Sequence, residues 1–128
     1  MNRYFILSTL FLFCTIQFSN AQDLSTIEND SIQHTYFESG IVSSEGHFKN
    51  DKKVGEWKFY YENGELKSEG NFISGLKEGE WMYYHDNGKL SSFGNYKEDL
   101  KEGVWEFYAV NGPFLYDTKY HLGIELKN

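Results

Sequence analysis

Histidines, paired carboxylates and serines are the residues of this chain that could do chemistry, so their spacing is tested first. The histidines are His34, His47, His85 and His121. A zinc site needs several convergent ligands, and these form no His-x-x-x-His or Glu-x-x-His pair. His85 shares an apolar column with Tyr61 and Ala109 and reads as a structural histidine. The acids Glu78/Glu80, Glu98/Asp99 and Asp117 fall in turns and on a polar face. They read as solvated surface, whereas a glycosidase needs two acids flanking a cleft. Ser43-Ser44, Ser68 and Ser91-Ser92 have no His or Asp at a recurring spacing, and no Gly-x-Ser-x-Gly elbow is present. The glycines serve turns and do not form a phosphate loop. The expectation is a non-enzyme with no catalytic residue, no cofactor and no metal.

One set of residues does invite a functional reading. Tyr36, Tyr60, Tyr84 and Tyr108 follow one another at a constant step of 24. On one face of a sheet they would form a tyrosine ladder on an otherwise polar surface. Such rings stabilise a sheet through cross-strand contacts. They also offer flat apolar area with a polar tip to an extended glycan or peptide.

The elements that would position them come from the same period. Trp57, Trp81 and Trp105 are 24 apart, as are Gly55, Gly79 and Gly103, and the Asn63-Gly64, Asn87-Gly88 and Asn111-Gly112 pairs. A fixed period in this range marks a repeat architecture. The units run near 34–54, 55–78, 79–102 and 103–128. The first is partial, with Gln33 in the Trp column. The last decays, with Thr118 in place of the late Gly and Pro113 after the turn. End units are atypical because they face water.

Asn-Gly between aromatic runs predicts a two-residue type I′ hairpin turn. A second turn column, Asp51, Gly75, Asp99 and Gly123, reads as a requirement for left-handed backbone. The first turn predicts a register in which Trp57 faces Gly70, Phe59 faces Ser68 and Tyr61 faces Leu66, all on one face. Lys58–Glu69, Tyr60–Lys67 and Glu56–Asn71 then share the other. The third unit repeats this as Trp81–Gly94, Tyr83–Ser92 and His85–Leu90. A ring over a cross-strand Gly or Ser covers exposed backbone. Glu106–Asp117 is an unfavourable pair and makes the register beyond Trp105 the weakest part. The expected fold is all-β: an elongated antiparallel meander of about eight strands, built from stacked hairpins of about 24 residues.

The N-terminus is expected to be removed. Arg3 precedes an apolar run over 4–18, and Ser19-Asn20-Ala21 precedes the cut. The run is short for a membrane span, which needs about 20 residues. Residues 1–21 therefore read as a signal peptide cut after Ala21, 22–33 as a flexible arm, and 34–128 as the repeat domain. Cys14 leaves with the leader, so the mature chain has no disulfide and no thiol ligand. It retains 11 lysines against 19 acids, a net charge of −8, with no arginine. This balance excludes nucleic acid as a partner, and no polybasic cluster suits anionic lipid.

The pattern Gly-x-Trp-x-x-Tyr-Tyr-x-Asn-Gly-x-Leu from Gly55 to Leu66, then Glu69-Gly-Asn-Phe72 and Gly75-x-x-x-Gly79, resembles the MORN-repeat family. Within it, the bacterial variant of YwqK-like antitoxin proteins is similar. The resemblance covers about 36–120 and implies a twisted antiparallel sheet that acts as an interaction platform. With the leader, the expected function is an exported repeat protein, periplasmic, cell-surface or secreted, that binds an unidentified protein. A cell-wall glycan-binding module and an antitoxin or immunity protein are the alternatives. Unpaired edge strands offer self-association as well.

Overall fold

The structure, a computed structural model, describes residues 31–127. The expected signal peptide and residues 22–30 of the arm lie outside the described residues. The described elements are β1 (Gln33–Tyr36), β2 (Val42–Lys49), β3 (Lys52–Tyr60), β4 (Leu66–Ile73), β5 (Leu76–Tyr84), β6 (Leu90–Lys97), β7 (Leu100–Tyr108), β8 (Phe114–His121) and β9 (Ile124–Leu126). They form one antiparallel sheet in chain order. The expected meander is thus present with nine strands, the ninth being the three-residue β9 that pairs with β8.

The left-handed column at Asp51, Gly75, Asp99 and Gly123 stands as expected, and the Asn-Gly column does not. The two-residue turns with positive φ at both positions follow the second strand of each hairpin, between β2 and β3, β4 and β5, β6 and β7, and β8 and β9. They are Asn50-Asp51 (50°, 59°), Ser74-Gly75 (52°, 90°), Glu98-Asp99 (50°, 68°) and Leu122-Gly123 (49°, 79°). The Asn-Gly turns are not type I′. Gly64 N–H donates to Tyr61 O at 2.9 Å and Tyr61 N–H to Glu65 O at 2.8 Å. Glu62-Asn63-Gly64 is therefore a three-residue loop, with only Gly64 at positive φ. The Asn63 carboxamide oxygen accepts from Glu65 N–H at 3.0 Å, and its amide donates to Asp86 O in the next loop at 2.8 Å. The same side chain thus closes its own loop and ties it to the next unit, a task that type I′ geometry does not require.

This loop corrects the register at its own end. Trp57↔Gly70, Lys58↔Glu69 and Phe59↔Ser68 stand as expected, but a bulge then pairs Tyr60, not Tyr61, with Leu66. The third unit does the same, with Trp81↔Gly94 and Tyr83↔Ser92 kept and Tyr84, not His85, opposite Leu90. The register holds beyond Trp105: Trp105↔Thr118 and Glu106↔Asp117 are paired.

The indole rings do not cover the glycine of their own hairpin. Trp57 lies over Gly46, Trp81 over Gly70 and Trp105 over Gly94, the glycine of the preceding unit in each case. A Cβ on any of these three glycines would collide with the ring, so another residue fits only if the indole moves. Each indole N–H donates back to the preceding unit, to His47 O, Asn71 O and Asn95 O at 3.1, 3.2 and 3.1 Å. The Gly two residues before each Trp takes φ of 67–73° at the point where two extra residues bulge out of β3 and β5 against the previous strand. That bulge lets the indole reach backwards.

The core is one face of a single sheet. Phe48, Trp57, Phe72, Trp81, Tyr96, Trp105 and Tyr120 run edge-to-face at centroid separations of 4.9, 6.1, 5.1, 6.0, 5.1 and 6.4 Å. Phe59 and Tyr83 fill the gaps between successive indoles. The three Trp are 0–1 % exposed without a second layer among the described residues, because neighbouring rings bury one another.

A double-mutant cycle tests the backward contact. Trp81→Ala should cost roughly 3–5 kcal/mol and Gly70→Ala roughly 1–3 kcal/mol in urea unfolding. The pair should cost clearly less than the sum, whereas Trp57→Ala with Gly70→Ala should be close to additive. Leu122, a bulky exposed residue at positive φ, gives the opposite prediction. Leu122→Asn should raise stability by about 1 kcal/mol in the same assay.

Candidate functional site

The Trp face carries a second row, created by the lysines two residues before the Gly of Gly-x-Trp. The Lys53 amine sits 4.5, 4.7 and 5.2 Å from the ring centroids of Trp57, Phe59 and Phe72. Lys77 sits 4.3, 5.3 and 4.9 Å from Trp81, Tyr83 and Tyr96. Lys101 sits 4.3, 5.4 and 4.7 Å from Trp105, Phe107 and Tyr120. Each is a cation held over three rings, attracted to their negative faces. Lys77 also donates to the Tyr83 hydroxyl at 2.8 Å, which in turn lies 3.1 Å from the Tyr96 hydroxyl. Burial against the rings lowers the pKa of all three amines and pushes the Tyr83 phenol up. Among the described residues none of the three amines has a carboxylate within ion-pair distance. Sequence reasoning missed this row. Its signal was the 24-residue step from Lys53 to Lys77 to Lys101.

The opposite face holds the tyrosine column. Tyr60 donates to the Glu45 carboxylate at 2.6 Å and Tyr84 to Glu69 at 2.7 Å, each reaching into the preceding unit. Burial, then the carboxylate bond, pushes both phenols up to about 12. Phe93 stands where the next carboxylate would be, so Tyr108 stacks on Phe93 at 6.4 Å and donates to Glu106 at 2.6 Å. Tyr36 is exposed and stacks on His34 at 6.4 Å. The sequence period thus brings all four to one face, with three of the hydroxyls committed to carboxylates.

The remaining candidates are separated. His34 lies 3.1 Å from Glu45, His121 lies 2.9 Å from Glu102, and His85 bonds Tyr108 O at 3.1 Å. Among the described residues no three His, Cys, Asp or Glu converge as a metal site would require. Glu78 and Asp99, read from the sequence as solvated surface, are backbone clips between units, and so is Glu102. Glu78 accepts from Glu98 N–H at 2.9 Å, Glu102 from Leu122 N–H at 3.0 Å, and Asp99 from Lys77 N–H at 2.7 Å. The bond from His121, with that from Leu122, holds the Glu102 carboxyl below the usual range. The sequence did not show this because the partners lie 20–22 residues away, across a turn.

The tyrosines give a pH prediction. A phenol whose pKa is raised on folding stabilises the fold fully below the unfolded value of about 10. That contribution is lost as pH rises through about 12. Wild type should therefore lose stability between these values, and Tyr60→Phe with Tyr84→Phe should lose less over the same interval. At neutral pH each variant should already be weaker by about 1 kcal/mol. Urea unfolding as a function of pH reads both.

The MORN repeat variant profile matches residues 32–50, 53–74 and 77–98, three successive hairpin units. No curated protein matches the chain in sequence. The repeated Gly-x-Trp hairpins, the nine-stranded meander and these three matches place the chain in the MORN-repeat family.

Proposed function

We propose that this MORN-repeat protein is a non-enzymatic, exported platform that binds a protein partner in the bacterial envelope or outside the cell. The observation that carries the reading is that the sheet completes its core on one face by itself. The Trp rings are buried by their own neighbours, and among the described residues no second layer lies on either face. Broad surfaces on both sides are left for a partner. On one of them Tyr36, Tyr60, Tyr84 and Tyr108 present a ring at every unit, a residue type suited to wet interfaces. The N-terminal leader supports export.

Export and binding are tested separately. Protein recovered outside the cytoplasm should begin at Gln22 on N-terminal sequencing, and a full-length cytoplasmic product refutes export. A photo-crosslinking residue at Tyr36 or Tyr108 on the tyrosine face, or at Tyr116 on the Trp face, should form a discrete protein adduct in intact cells. The absence of an adduct from all three refutes the platform.

A further inference from the structure

The lysine row of the Trp face points to the chemistry of the partner. Strand alternation places Lys53, Lys77, Lys101 and Glu125 on this face of the sheet. Acids dominate the rest of a chain whose net charge is −7. The three amines are pinned over rings, so little side-chain freedom is lost when an anion meets them. Between the first two lies an open groove of about 620 Å³, lined by Phe59, Phe72 and Tyr83 together with Lys53 and Lys77, with Lys67 at its wall as a further cation outside the 24-residue row. It is a surface with an aromatic floor and fixed positive charges at equal intervals.

The interval selects the ligand backbone. Lys53, Lys77 and Lys101 lie on β3, β5 and β7, two strands apart. At about 4.8 Å between neighbouring strands the step is about 9.6 Å. A polyproline II chain repeats its side-chain direction every three residues, over about 9.3 Å. An extended β-strand repeats every two residues, over about 6.7 Å, and its third residue points the other way. Only the former keeps a carboxylate on each amine. Proline-rich chains also dock on aromatic-lined grooves. The row has a defined end: Glu125 stands one unit after Lys101 in the same column, paired with Tyr120, and would repel a fourth acid.

We infer that the Trp face binds an acidic, proline-rich segment of the partner, running across the strands with an Asp or Glu at every third residue on Lys53, Lys77 and Lys101. The inference rests on the platform reading and names its face and its partner chemistry. An anion on each amine restores the stabilisation of charge that burial against the rings removes.

Synthetic proline-rich peptides with three glutamates spaced two, three or four residues apart, equal in composition, test it against the whole mature protein. Calorimetry or intrinsic Trp fluorescence at physiological salt reads the binding. The three-residue spacing should bind at least about tenfold tighter than the other two, as expected for matching one more charged hydrogen bond. Lys77→Met keeps the aliphatic stem and should weaken that peptide by about tenfold, while Lys77→Arg should retain it. Circular dichroism checks folding. If Lys77→Met is unfolded, Lys53→Met and Lys101→Met, at either end of the row, replace it with the same expectation. Equal affinity for all spacings overturns the inference, as does binding of an acidic polysaccharide in place of every peptide. Either result alongside a crosslinked adduct in cells leaves the platform standing. Failure of all crosslinks with spacing-dependent peptide binding overturns the cellular role and keeps the face chemistry.

Discussion

The indole ring laid on the glycine backbone of the preceding hairpin is the contact on which this sheet depends. Among the described residues the meander has no second layer, and so no partner surface against which to bury its apolar side chains. Here each Trp finds one in the unit before it, at Gly46, Gly70 and Gly94, and its N–H ties down a carbonyl of the same strand. The contact does three things at once. It buries the largest ring in the unit, fixes the register between units, and leaves room only for glycine at the opposite position while the indole stays in place. A one-residue slip would send the whole row to the other face, so the contact also decides which face is core.

The rest of the unit follows from that reach backwards. The positive-φ glycine before Trp makes the bulge that allows it. Asn63 and Asn87 clip successive loops on one side, and Asp99, Glu78 and Glu102 clip successive turns on the other. The stack ends where its rule ends. Thr118 occupies the glycine column of the last unit, and its side chain occupies the space an overlying indole would need. It bonds Glu125 at 3.1 Å instead. Stability is therefore distributed as nearest-neighbour terms along the repeat.

Much of this was legible in the chain because a period is a one-dimensional signal. The 24-residue step gave the hairpins, and the Gly, Ser and Trp alternation gave the core face and the Trp57↔Gly70 register. The left-handed column at Asp51, Gly75, Asp99 and Gly123 was equally visible. What the chain concealed was direction and distance. Trp57 opposes both Gly46 and Gly70, and alternation alone cannot say over which the ring leans. Asn-Gly fits both a two-residue and a three-residue loop. The choice rested on the Asn63 amide reaching Asp86 O, 23 residues on. The lysine row went unread because a lysine between turn and strand is ordinarily solvated, and only the fold brings three rings around each amine.

The two faces divide the work electrostatically. On one, tyrosine hydroxyls donate to carboxylates, as Tyr60 does to Glu45 and Tyr84 to Glu69, so negative charge is spread along the sheet and tied into it. On the other, the amines of Lys53, Lys77 and Lys101 lie over rings with no carboxylate in ion-pair reach among the described residues. A cation so placed keeps its attraction to the rings but loses part of its hydration, which is why its pKa falls. The same partial dehydration makes it a stronger partner for an external anion than a freely solvated lysine. Because successive units repeat the arrangement, the three charges recur with the 24-residue period of the sheet.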